Sequence, residues 1–440
     1  MIDKRVGLRL CALTAGLLGM FIGGAAQAAT IIVNSLADPG APGICALRDA
    51  ITAANTMTAT NGCAAGSGND TINFPPRMTG TISLVSTLPE VTDSLLTING
   101  PASRGISISG GGNVPVMGVA TNATLNVNSL TIADGRSNTN GGGIVNLGIL
   151  TVTSSSFSGN LAFGAGGGIL NDGPVAMLTV VNSTFSGNSA GSSFAGGGAI
   201  YSGGLSLTVL NCTFYGNSAA GGGGIFKSDL FAIGTATVTN STFSGNAALG
   251  TIFPGSGGGG VNDFAGDFTI KNTIFAASIG GSCIGGFTGG ITDAGYNISD
   301  DASCGFTKTG SANNGDGIDP LLSAAGLADN GGPTQTIGLQ SGSAAIDAIP
   351  IADCTDQASS PNPITTDQRG FPRPDAGEQV CDIGAYEFQD FAGQPGARSC
   401  QPASYAALTE QFGSLGAAAS ALGFPSSNAL QSAIAAFCKG

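Results

Sequence analysis

The stretch NSTFSGN at Asn182–Asn188 returns unchanged at Asn240–Asn246. NCTFYGN, from Asn211 to Asn217, lies between them, and SSSFSGN, from Ser154 to Asn160, precedes them. The phenylalanines Phe157, Phe185, Phe214 and Phe243 are spaced by 28, 29 and 29 residues, and a looser copy, NTIFAAS, puts Phe275 32 residues further on. A second phrase keeps step: GGGI at Gly141, Gly166 and Gly222, GGGAI at Gly196 and GGGGV at Gly257. A fixed period in this range marks a solenoid, in which each unit buries its apolar face on its neighbours. The segments between glycine corners alternate, as in LTVVNST and TATVTNSTF, and are rich in Thr, Val, Ile and Phe. That is strand chemistry with period two, not helix chemistry. The expected fold class is therefore all-β, a parallel β-helix.

Stacked coils rise by about 4.8 Å each. Phe157, Phe185, Phe214 and Phe243 should then stack, each burial contributing about 2–3 kcal/mol. Asn160, Asn188, Asn217 and Asn246 should form a ladder of side-chain amides, each bonding the next. Glycine is 74 of 440 residues and follows no collagen period, so it serves turns and close backbone approach. The strict register argues against reading this composition as disorder.

Five parts are expected. Residues 1–28 read as a secretory signal peptide: Lys4, Arg5 and Arg9, an apolar run from Leu10 to Gly24, then Ala26-Gln27-Ala28. Residues 29–69 read as an N-terminal cap with a short helix presenting Leu47, Ile51 and Ala54. Residues 70–315 form the coils. Residues 316–390 break the pattern with more Pro, Asp and turn signals. Residues 391–440 read as a helical hairpin, with Pro425-Ser426-Ser427 as its turn and N-cap.

Cys11 lies in the signal segment, and eight of the other nine cysteines fall into sequential pairs. Disulfides Cys45–Cys63, Cys283–Cys304, Cys354–Cys381 and Cys400–Cys438 are expected, each closing a loop worth about 3–4 kcal/mol in the chain-entropy picture. They fit an exported protein, at a bacterial surface, in the periplasm or in the medium. Cys212 replaces a repeat serine and reads as a small core residue. There is no histidine and no CxxC, which argues against zinc. Cleavage would remove Lys4, Arg5, Arg9 and Asp3, leaving 11 basic against 26 acidic residues and a net charge near −15. Nucleic acid and anionic membranes are poor partners for such a chain. No later run is long enough for a membrane-spanning helix.

CALRDAITAAN resembles the CSLREA-type N-terminal motif of exported bacterial β-helix proteins. GGAI at Gly197–Ile200 with FSGN resembles the repeats of polymorphic outer-membrane proteins. DPLLSAAGLADNGGPTQTIGLQSGSAAIDA with DQRGFPRPDAGEQVCDIGAYE resembles the choice-of-anchor Q domain. These resemblances cover most of residues 30–390. They imply a right-handed parallel β-helix on a secreted or surface protein, and the outer-membrane group implies adhesion. No C-terminal β-barrel and no LPxTG-like tail is present, which favours a released or periplasmic protein.

β-Helices also carry polysaccharide lyases and hydrolases, which need clustered carboxylates and a base. Within the repeats, Lys227 and Asp263 share a column that begins with Asn146, Asn171 and Ser202, and Asp172 and Asp229 lie in nearby loops. These four charged residues are the catalytic candidates if the chain is an enzyme. The alternative is a solvated edge with one surface ion pair. Tyr201 and Phe226 should point the opposite way and are candidate sugar platforms or loop-packing groups. In the third part Asp367, Arg369, Arg373, Asp375, Asp382 and Glu387 form the densest charge group. Asp367, Arg369 and Asp382 head its ligand reading, with Ca²⁺ the only cofactor in view; the other reading is an ion-pair network fastening a cap to the last coil. The Asn-x-Ser/Thr triplets of the repeats fall on expected strands, which argues against glycosylation. Three functions follow: a non-catalytic adhesion scaffold binding glycans or cell-surface molecules, a carbohydrate-active enzyme, or a structural spacer of about nine coils spanning roughly 45 Å.

Overall fold

The computed structural model describes residues 28–101, 105–191, 196–229, 234–250, 257–286, 290–340, 342–375, 379–388, 398, 400–421, 424 and 426–438. The signal-peptide reading of residues 1–28 falls outside these, except for Ala28. The chain is a parallel β-helix. Each regular turn runs through four sheets, as in the strands at Ile149–Thr153, Ser156–Ser158, Leu161–Ala162 and Ile169–Asn171. Among the described residues they belong in that order to sheet A of ten strands, sheet B of ten, sheet C of five and sheet D of seven.

Alternation sets the core. In sheet A, Leu150 and Val152 pair with Leu178 and Val180, then Leu207 and Val209, and all six are buried. In sheet B, Phe157, Phe185, Phe214, Phe243 and Phe275 stack with ring centroids 4.7, 5.1, 4.4 and 4.7 Å apart, all at 0% exposure. The corner between sheets B and C holds the amide ladder. Asn160 Nδ2 donates to Asn188 Oδ1, Asn188 to Asn217 and Asn217 to Asn246, each at 2.9 Å. The same amides bond backbone carbonyls, such as Phe157 O for Asn188 and Phe185 O for Asn217, so polar corners stay satisfied inside the core.

The glycine runs lie at the corner between sheets C and D. A Cβ on Gly223 would stand 2.5 Å from Ala247 O and 2.7 Å from Gly259 O, so no larger residue fits. The corner between sheets A and B turns at Asn182, Asn211 and Asn240, with φ of 52°, 52° and 46°. Asparagine tolerates this left-handed conformation. The sequon asparagines are thus turn residues, not strand residues. Behind them runs a buried column in which Leu130 N, Ser155 N, Ser183 N and Cys212 N donate to Ser155 Oγ, Ser183 Oγ, Cys212 Sγ and Ser241 Oγ. Cys212 occupies a serine position in this column, and burial pushes its thiol up to about 12.

Helix α1 (Leu47–Thr56) buries Leu47, Ile51 and Ala54, with Ala50 and Ala53, in the same core as Ile31 and Ile72 of the first strands. At the other end Phe306 lies tilted against Phe275, its ring centroid 5.9 Å away.

Two expectations are corrected. Residues 330–388 do pack with Tyr296 and Ile298 of the last coils, but they are not confined to that end. They run back along the outer surface of sheet B, bonding Thr184, Asn211, Thr213 and Thr242 from successive turns. Among its described residues the C-terminal tail forms three helices, not a hairpin: α2 (Cys400–Phe412), α3 (Leu415–Ala421) and α4 (Ser427–Phe437). Gly413, with φ +76°, breaks the first expected helix in two. Its core is Leu408, Ala418, Leu430 and Ile434 with the Cys400–Cys438 disulfide. The remaining disulfides join Cys45–Cys63, Cys283–Cys304 and Cys354–Cys381.

Candidate functional site

The column in sheet D runs Asn146, Asn171, Ser202, Lys227, Asp263 in register. It faces inward, because each member lies two residues beyond a buried Ile or Val. All five have 0% exposure. The solvated-edge reading is therefore wrong. Asn146 Nδ2 donates to Asn171 Oδ1 at 2.7 Å, and Asn171 Nδ2 donates to Ser202 Oγ at 3.2 Å. Beyond Ser202 the chain of bonds stops. Lys227 Nζ and both Asp263 carboxylate oxygens have no hydrogen-bond partner among the described residues, and no ion pair joins them. Burial lowers the Lys227 ammonium below its ordinary range, opposed by Asp229, Asp263 and Asp267. Burial raises the Asp263 carboxyl to about 7 against the pull of Lys227.

Asp229 is buried and accepts a bond from the Gly234 backbone N–H. A Cβ on Gly234 would stand 2.7 Å from Asp229 Oδ2 and 2.8 Å from Lys227 Nζ, so the acid and the amine flank one point. Asp172 stays at the rim, where its Oδ1 accepts from Gly173 N. It lies beside Tyr201, whose hydroxyl is raised first by burial and next by Asp172. The four catalytic candidates thus gather on neighbouring turns, but the amine and the Asp263 carboxyl are sealed inside the stack.

Tyr201 and Phe226 do point outward and stack at 5.8 Å, and Phe226 meets Phe264 at 6.2 Å. Phe226 is only 4% exposed and Tyr201 half-buried, so they pack locally and offer no open platform.

The charge group of the third part is a buried network. Arg369 Nε bonds Asp367 Oδ2 at 2.7 Å with both side chains at 0% exposure. The guanidinium carbon sits 3.7 Å from the Tyr386 ring centre and 4.5 Å from that of Phe371. Asp367 also accepts backbone N–H bonds from Arg369, Phe371 and Glu387. Arg373 Nε bonds Glu387 Oε2 at 2.6 Å. Asp382 accepts backbone N–H bonds from Asp347 and Phe388. Burial and the neighbouring Glu387 push the Asp382 carboxyl well up, and burial raises Glu387 to about 7. These carboxylates spend their lone pairs on guanidinium and backbone donors. Among the described residues no group of three or more acids or cysteines is placed to hold a metal, so the Ca²⁺ reading of Asp367 and Asp382 has no geometry behind it.

Sequence reasoning did not single out the outer face of sheet A. Its central column carries threonine on every strand from Thr30 to Thr292 except Asn126, with Thr151, Thr179, Thr208, Thr237 and Thr269 in direct register. Thr30, Thr208 and Thr292 are exposed and the other four named threonines half-exposed. The signal was the shared Thr at the centre of LTV, at Thr151, Thr179 and Thr208, and of TATVT, at Thr237.

No family model matches the chain, and neither a curated protein nor a solved structure was found similar to it. Among the described residues no helix is long and apolar enough to cross a membrane.

Proposed function

We propose that the chain is an exported, non-catalytic interaction scaffold whose binding surface is the outer face of sheet A, with glycans or other hydroxyl-rich cell-surface molecules as partners. The observation that carries this reading is the threonine column: ten strands present one hydroxyl or amide per turn, at about 4.8 Å intervals, with no charge in the column. Such a face binds by many weak hydrogen bonds. Sheet B cannot serve in the same way, because residues 330–388 occupy much of its outer surface. Four disulfides support export to an oxidising compartment. The resemblance of residues 316–390 to the choice-of-anchor Q domain fits this placement. The burial of Lys227 and Asp263 weighs against their acting on an external polymer.

The test is binding of the purified chain to a panel of neutral and acidic polysaccharides, with and without Ca²⁺, while following unsaturated products and new reducing ends. Binding without cleavage is expected, abolished by the double variant Thr179→Arg, Thr208→Arg. Cleavage of any polymer, or binding that the double variant leaves intact, overturns the reading.

A further inference from the structure

The first turn of the fold buries two acids without a cation. Asp70 and Asp93 are 1% and 5% exposed. Asp70 accepts backbone N–H bonds from Ser67 and Gly68. Asp93 Oδ2 has no hydrogen-bond partner among the described residues. The two acids are neighbours: burial raises the Asp93 carboxyl first, and the charge of Asp70 raises it next. Among the described residues no ion pair reaches either of them. A buried pair of like charges is stabilised when a positive group joins it.

One nitrogen already points there. The strand Thr30–Ile32 pairs in parallel with Asn69–Asn73, which sets Thr30 beside Thr71. That pairing holds Ala29 from both sides. Its carbonyl accepts from Thr71 N at 2.9 Å, and its N–H donates to Asp70 Oδ1 at 3.2 Å. Ala29 is also the residue that follows Ala26-Gln27-Ala28. The nitrogen that leader cleavage would free is therefore the one bonded to the buried acid.

We propose that the Ala28–Ala29 bond is a processing site, and that the α-ammonium made there is bound by Asp70, with Asp93 beside it, fastening the first strand to the coil. This rests on reading residues 1–28 as a leader. Water is the co-reactant, and the catalyst is a leader peptidase that accepts small residues on the amino side of the cut. The C–N bond between Ala28 and Ala29 breaks. The water hydroxyl goes to the Ala28 carbonyl carbon and its hydrogen to Ala29 N; the new carboxyl then gives its proton to the amine. An α-amino group ordinarily holds that proton up to a pH of about 7.7–8.0, so at neutral pH the nitrogen carries a charge and three donors. Its bond to Asp70 becomes charge-assisted, roughly twice as strong as the neutral one. In the uncleaved chain the same nitrogen is an amide with one hydrogen and no charge. Cleavage precedes docking of the strand, because in the fold Ala29 is bonded through both its N–H and its carbonyl.

The experiment expresses the full chain with its own leader in an exporting bacterium and reads the first residue of the purified protein from its intact mass after reduction. The folded protein is then acylated briefly at pH 7, and the N-terminal peptide is quantified by mass spectrometry against a sample unfolded in urea. The chain should begin at Ala29. Its amine should react about tenfold more slowly folded than unfolded, the effect of a one-unit rise in its pKa. Asp70→Asn should restore most of that reactivity. Asp93→Asn, which leaves every bond to Asp70 in place, should restore part of it and serves alone if the first variant does not fold. A chain that begins at Met1 removes the leader reading and the proposal with it. A chain that begins at another residue near the motif keeps the leader reading and overturns the ion pair. An amine as reactive folded as unfolded, or protected equally in the wild type and the folded variants, also overturns it.

Discussion

Sheets A and B are built alike and end differently. Both have ten parallel strands, and both set threonines on their outer face in register. Thr179, Thr208 and Thr237 of sheet A remain open or half-open. Thr184, Thr213 and Thr242 of sheet B are 2%, 0% and 1% exposed. The difference is Gln368, which takes a bond from Thr213 Oγ1 at 2.6 Å and donates to Thr184 Oγ1 at 2.8 Å, on a segment more than 150 residues away in sequence. A threonine on a β-helix is thus a solvent-facing group or an internal fastener according to what docks on it.

The largest expected effect breaks the covered face. Arg369→Ala strands the buried Asp367 and should cost about 3–5 kcal/mol, measured by denaturant unfolding, with protease cuts appearing first within residues 330–388. An Arg369→Ala protein with unchanged midpoint and cleavage pattern would mean that the network does not hold the cover.

Next, Thr213→Val should cost about 1–3 kcal/mol, because Gln368 Oε1 loses its buried donor.

A pH effect is also tied to the covered face. An exposed carboxyl releases its proton near 4, whereas burial keeps Glu387 protonated up to about 7 and raises Asp382 as well. Between those values the folded chain holds more protons than the unfolded one, so stability should fall as pH rises from about 5 to 7. Each group contributes at most about 1.4 kcal/mol per pH unit. Asp382→Asn should flatten that slope in unfolding curves taken across the window, and an equally steep curve would assign the titration elsewhere.

The smallest effect belongs to the open face. Thr208→Val should change stability by no more than about 0.5 kcal/mol. A loss as large as that of Thr213→Val would show sheet A to be covered too.

The repeats made the core legible. Identical heptapeptides at a near-constant period place Phe on Phe and Asn on Asn, because parallel strands in register leave no other partner. The site was legible in membership and misjudged in direction. Lys227 lies two residues after Ile225, and the period of two already assigns it to the core side. Reading it as an edge residue let the habit of exposing lysine outweigh the geometry. The docking of residues 330–388 left no local trace, since it depends on contacts far apart in sequence. The break in the C-terminal tail was signalled by Gly413-Ser414, which the helical periodicity on either side obscured.

The segment laid over sheet B has a consequence for cooperativity. In an ideal solenoid each repeat touches only its neighbours, so turns can open one by one from an end. Here one strap reaches Thr184, Thr213, Thr242 and Asn272, members of four successive turns. Opening any one of those turns means lifting the strap from the others. Residues from about 180 to 275 should therefore exchange their amide protons as a single block, while the turns before residue 150 fray independently, giving a nearest-neighbour chain the all-or-none behaviour of a globular domain.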